Sequence, residues 1–142
     1  MLKFNPMFTP WQVAEQDFPK DGALAEKFKF LLRYAILAPS GHNTQPWKFK
    51  LQPDGVFIYA DYNRRLHVVD PDNRELVISI GAAIMNLRVA AAYFGYACTV
   101  QYQPKANTPE LLASARLSES SQTDPELKKL FHAIVQRRTN RI

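Results

Sequence analysis

With a single cysteine, Cys98, among its 142 residues, the chain can form no intrachain disulfide and no thiolate zinc site. A reducing cytoplasm suits such a sequence best. Glycine is scarce, at five residues, and no Gly-x-Gly-x-x-Gly or P-loop pattern occurs, which argues against a Rossmann domain or a nucleoside triphosphatase. No serine sits in a nucleophile elbow, and His42, His67 and His132 have no metal-ligand spacing. The longest uncharged apolar run, Leu76 to Leu87, ends at Arg88, short of the roughly 20 residues of a spanning helix. The N-terminus has no apolar stretch of the secretory kind. The net charge is +5, yet no basic stripe interleaved with aromatics accompanies it, so neither nucleic acid nor membrane is expected as a partner.

What is present describes a globular chain. Hydrophobic residues make up 46% and charged residues 22%, and the length allows one domain with a real core. Residues 1–20 carry Pro6, Pro10 and Pro19 with Phe4, Phe8, Trp11 and Phe18, and read as an irregular arm; residues 21–142 read as the domain. Leu24, Phe28, Leu31, Leu32, Ala35 and Ile36 follow helical spacing between Gly22 and Leu37, with Pro39 ending the helix. Trp47 to Leu51 alternates with period two, Pro53-Asp54-Gly55 is turn chemistry, and Val56 to Tyr59 returns as a hairpin strand. Asp70-Pro71 reads as the cap and first residue of a helix that runs to Tyr93 and stops at Gly95. That helix is apolar nearly all round and rich in Ala and Gly, as a buried central helix would be. Tyr96 to Tyr102 and Ala115 to Ser118 read as strands, and Thr123-Asp124-Pro125 opens a last helix through Val135. The order α-β-β-α-β-β-α predicts an α+β layer fold with helices on a mixed or antiparallel sheet.

Two segments carry candidate chemistry. The run Ala38-Pro39-Ser40-Gly41-His42-Asn43-Thr44-Gln45-Pro46-Trp47 joins a helix to a strand. Its prolines stiffen the ends, and Gly41 is expected to take an unusual backbone in the middle. Its hydroxyls, imidazole and amides suit a planar heterocycle with alternating donors and acceptors. The second segment, Arg137-Arg138-Thr139-Asn140-Arg141, can hold a phosphate through charge-assisted hydrogen bonds. Taken alone, it reads as cations at a helix C-terminus. Arg64, Arg65, Asp70, Arg74 and Glu75 read as a solvated loop and a capped helix start.

Together the two segments resemble one family. The first looks like the flavin-contacting Pro-Ser-x-x-Asn-x-Gln-Pro-Trp loop of the nitroreductase superfamily, and the second like its Arg-Arg-Ser/Thr-x-Arg motif for the FMN phosphate. The long helix opening with Asp-Pro-Asp-Asn-Arg-Glu-Leu is similar to a divergent branch in which two nitroreductase-like halves are fused. The resemblance covers roughly residues 22–142. It implies a nitroreductase-like fold, FMN as cofactor, NAD(P)H as electron donor and a nitroaromatic or quinone-like acceptor. By the same resemblance, Pro39, Ser40, Gly41, His42, Asn43 and Gln45 surround the flavin ring, and Arg137, Arg138, Thr139 and Arg141 hold the phosphate and ribityl chain. The arginine motif ordinarily precedes the loop, and here it comes last. The resemblance therefore implies an N-terminal portion of a longer protein, whose two groups meet only when a homodimeric partner or a second nitroreductase-like half completes the site. A flavin-sequestering protein without turnover, and an inactive partial domain that associates through its central helix, are the competing expectations.

Overall fold

The computed structural model of the chain describes residues 10–140. Phe4, Pro6 and Phe8 of the expected arm, and Arg141, lie outside them. Four helices and four strands follow one another as α1 (Leu24–Ala35), β1 (Trp47–Gln52), β2 (Gly55–Ala60), α2 (Arg74–Tyr93), β3 (Tyr96–Tyr102), β4 (Leu111–Glu119), α3 (Pro125–Lys129) and α4 (Phe131–Gln136). The strands form one antiparallel sheet in the order β1-β2-β4-β3. The fold is α+β, as the periodicities predict.

The alternation that marks β1 and β2 also decides which sheet face is covered. Trp47, Val56, Ile58, Leu111, Ala113 and Ala115 are buried, whereas Lys48 and Lys50 are exposed. α1 packs on β1 and β2, and α2 packs on β2 and β3 and against α1. Tight approach at the hairpin requires Gly55, because a Cβ there would collide with the Ala115 carbonyl. β4 is longer than the expected Ala115–Ser118. Its inward positions from Leu111 to Ala115 are mostly alanines, which carry too little hydrophobic contrast to announce a strand.

α2 begins at Arg74, not at Pro71. The capping chemistry of Asp70 is nevertheless real: its carboxylate accepts from the N–H groups of Glu75 (3.1 Å) and Leu76 (3.0 Å) across an intervening turn. Asn73, in the left-handed region at φ 57°, makes the entry to the helix. Gly95 ends it at φ 90°, as expected. By length and composition α2 could cross a bilayer, and 56% of its apolar window is buried inside the protein. It is not covered all round: Val77, Ile78 and Met85 are exposed on one stripe. The last helix is also broken, at Leu130, into α3 and α4. Asp124 caps α3 through the Glu126 N–H (2.9 Å), with Pro125 at its first position.

The C-terminal helix joins the core through aromatic rings. Phe131 lies flat on Tyr93 (centroids 3.8 Å, 5° between planes) and tilts against Tyr34 at 4.8 Å. Phe94 and Phe30 continue the cluster, and Phe18 stacks on Phe94 at 4.4 Å. Burial pushes the Tyr34 hydroxyl up to about 12, so it stays neutral at physiological pH.

A candidate flavin cleft between the loop and the C-terminal arginines

Sequence separation makes the meeting of the two candidate segments a tertiary event. α1 ends at Ala35 and delivers Ile36 to Pro39 to the surface, where the loop begins. α4 ends at Gln136 and delivers Arg137 beside the same helix end. There Arg137 Nη2 donates to the Leu37 carbonyl at 2.9 Å, closing a link between positions 100 residues apart. The carbonyls at a helix C-terminus lack intrahelical partners and carry partial negative charge, so a guanidinium is well placed there. The cation thus serves the end of α1 rather than of its own helix.

The result is a cleft of about 540 Å³ lined by Pro39, Ser40, His42, Asn43 and Gln45 from the loop and by Arg137, Arg138 and Thr139 from the C-terminal segment. Both groups thus lie on one surface of a single chain, without a partner's contribution. Gly41 is the exception among the loop residues expected to surround the ring. It faces a separate hollow of about 230 Å³ with Glu75, Ile78 and Ser79. Pro10, Trp11, Ile36, Leu37 and Ala38 also line the main cleft, and sequence reasoning missed them. For Pro10 and Trp11 a signal existed in the proline- and aromatic-rich arm, but nothing local said where those rings would land.

The loop is held by its own polar groups. Ser40 Oγ accepts from the Gln45 N–H (3.0 Å), and the Gln45 side-chain amide donates to Asn43 Oδ1 (3.2 Å). The Gly41 N–H donates to Ser79 Oγ (3.2 Å), which itself donates to the Glu75 carbonyl (2.7 Å), so buried Ser79 ties the loop to α2. The expectation for Gly41 is overturned. The left-handed backbone belongs to His42, Asn43 and Gln45, at φ 49°, 56° and 49°. Non-glycine residues in this region carry a local steric cost, and here the hydrogen bonds on both sides impose it. The absent Cβ of Gly41 instead leaves room for Glu75, whose Oε2 would lie 2.7 Å from it.

The far end of the loop is braced by a charge cluster. Arg64 Nη1 donates to the Thr44 carbonyl (3.1 Å), and Arg64 in turn pairs with Asp61 (3.5 Å). Asp61 is buried, pairs with Lys48 at 3.0 Å and accepts from the Asn63 N–H. Hydrogen bonding from Lys48, against the opposing effect of burial, holds its carboxyl below the ordinary 3.8. A depressed carboxyl contributes stability that is complete above its unfolded value and is lost as pH falls through the folded one. Asp61→Asn is therefore expected to cost about 1–2 kcal/mol at neutral pH. It should also flatten the acid limb of stability below about pH 4, measurable by urea unfolding across pH.

Other reactive groups are not recruited. Burial pushes the Cys98 thiol up to about 11, so it is a thiol and not a nucleophilic thiolate at neutral pH. Among the described residues no cluster of His, Cys, Asp and Glu could hold a metal.

The donor set fits FMN in kind. Amides, a hydroxyl and an imidazole sit on one segment, and guanidiniums with a hydroxyl on the other. The volume lies within the range of cofactor clefts. Arg137 Nε is buried without a partner, a polar atom in the cleft's own arginine that the protein leaves unanswered.

No family model matches the chain. Two Mycobacterium tuberculosis proteins named as putative NAD(P)H nitroreductases are similar to it. One is 33% identical over 117 residues, covering 82% of this chain and 34% of the relative. The other, acg, is 32% identical over 124 residues, covering 87% and 38%. The chain thus spans about a third of the length of these relatives. Among solved structures, a nitroreductase-like protein from Streptococcus mutans superimposes with TM-score 0.55 at 19% identity, covering 82% of this chain and 89% of that one. An NADH dehydrogenase/NAD(P)H nitroreductase, so described putatively, from Parabacteroides distasonis gives 0.57 at 18%, covering 74% and 80%. The fold is nitroreductase-like, and the similarity to relatives named as putative NAD(P)H nitroreductases supports membership of the nitroreductase superfamily.

Proposed function

We propose that the protein binds FMN in the cleft between the loop and the C-terminal arginines and serves an NAD(P)H-dependent reductase of nitroreductase type. The observation that supports this reading is the convergence of Asn43, Gln45, Arg138 and Thr139 on one cleft. Bound FMN would supply two-electron transfer from NAD(P)H to a nitroaromatic or quinone-like acceptor. The chain's residues would do the rest. Ser40, His42, Asn43 and Gln45 orient the ring edge by hydrogen bonds, with Pro39 and Gly41 shaping their backbone. Arg138 and Arg141 neutralise the phosphate, Thr139 donates a hydrogen bond to it, and Arg137 holds the C-terminal segment against α1. No side chain has to act as nucleophile or metal ligand.

Val77, Ile78 and Met85 leave an apolar stripe on α2 uncovered, which supports association with a second copy or a second nitroreductase-like half. Cytoplasmic residence fits the single, half-buried thiol. FMN titration into the full chain is expected to give a bound-flavin absorbance band that NAD(P)H bleaches. Tight binding without bleaching would assign flavin retention instead, and the absence of any binding would remove the flavin reading.

A further inference from the structure

The N-terminal segment supplies a cleft wall that neither candidate motif contains. Three contacts pin it. Phe18 is buried against Phe94, Glu15 accepts from the Tyr93 hydroxyl at 2.6 Å, and the Gln12 carbonyl accepts from Arg33 at 3.4 Å. Trp11, half-buried against the core, thereby reaches the cleft beside Arg138. The Arg138 guanidinium lies over the indole, with Cζ 4.8 Å from the ring centroid. Its Nη1 donates to the carbonyls of Val135 (2.9 Å) and Arg137 (2.8 Å). Among the described residues its Nε and Nη2 have no hydrogen-bond partner.

Two restraints of different kinds act on one cation. The carbonyls at the end of α4 fix one nitrogen, and the ring attracts the cation, at a distance within the cation–π range. An exposed arginine otherwise loses rotamer freedom when it takes up an anion, and a preplaced one loses less. We propose that Trp11 is a positioning residue for the anionic end of the ligand. It holds Arg138 so that the remaining N–H edge meets a phosphate in the cleft. The proposal rests on the flavin reading of the site and deepens it, because it makes Trp11 responsible for selecting phosphorylated over unphosphorylated flavin.

Riboflavin has the same ring as FMN and no phosphate, so the pair isolates the effect. The full chain is titrated with each, following quenching of flavin fluorescence, and folding of each variant is checked by thermal melting. The wild type should prefer FMN. Trp11→Leu should weaken FMN binding roughly three- to tenfold and leave riboflavin within about twofold. Trp11→Phe, which keeps a ring, should retain most of the preference. Arg138→Ala should abolish it, and Trp11→Leu added to that background should change the ratio no further. Trp11→Met repeats the measurement if the leucine variant does not fold. An unaltered FMN-to-riboflavin ratio in Trp11→Leu, or an equal loss for both flavins, overturns the role of Trp11 alone. Binding of neither flavin by the wild type overturns this role together with the flavin reading.

Discussion

Phe131→Ala should lower the unfolding free energy by about 3–5 kcal/mol, the cost of deleting a buried aromatic ring from a packed site. The ring is 1% exposed and lies between Tyr93, Tyr34 and Phe94. α4 spans only Phe131–Gln136, far too short to persist by its own hydrogen bonds, so its position depends on Phe131 and Ile134. Those two side chains therefore also position the arginines that follow. Urea unfolding should show the loss, and the FMN binding proposed above should weaken with it. A loss below about 1 kcal/mol would show that this ring does not anchor the C-terminal segment.

Arg137→Ala should cost about 1.5–3 kcal/mol, as expected for a hydrogen bond from a charged donor. The Leu37 carbonyl belongs to a residue 2% exposed, and it would lose its charged donor. Arg137 Nη1 also reaches the Thr139 hydroxyl at 3.3 Å, so the same change frees a residue of the proposed phosphate site. For a chain of this size the midpoint of thermal melting should fall by roughly 5–10 °C. Arg137→Lys should recover less than half of the loss, because an ammonium cannot reproduce the two-sided fork. Full recovery by lysine would mean that charge at the end of α1, and not the directed bond, is what matters.

Much of the fold was readable in order along the chain. The spacing of Leu24, Phe28, Leu31 and Ala35 produces α1, the alternation from Trp47 produces β1, and Gly95 stops α2 where a left-handed residue is needed. The misreadings have physical causes. Asp70 caps α2 from four residues before its first residue, because Pro71 to Asn73 form a turn that the carboxylate spans. β4 begins earlier than expected because alanine shows little contrast, although at Ala113 and Ala115 it is buried as fully as Ile58. Gly41 looked like the strained residue of the loop. Strain is carried instead by His42, Asn43 and Gln45, whose backbone is set by bonds to Ser40 and by the tie from Gly41 to Ser79.

Local chemistry was determined by the sequence alone: which residues donate and accept, where helices and strands alternate, and which cofactor class their combination resembles. Those properties depend on side-chain type and on spacing over a few residues, and both are written in the chain directly. Tertiary structure alone decided that the loop and the arginines, some 100 residues apart, would line one cleft of a single chain. It also decided that Trp11 would stand beneath Arg138. The physical reason is that both outcomes depend on where α1, α4 and the N-terminal segment end relative to one another. Those positions are set by the packing of Phe131, Phe94 and Phe18 across the core, which no local pattern encodes.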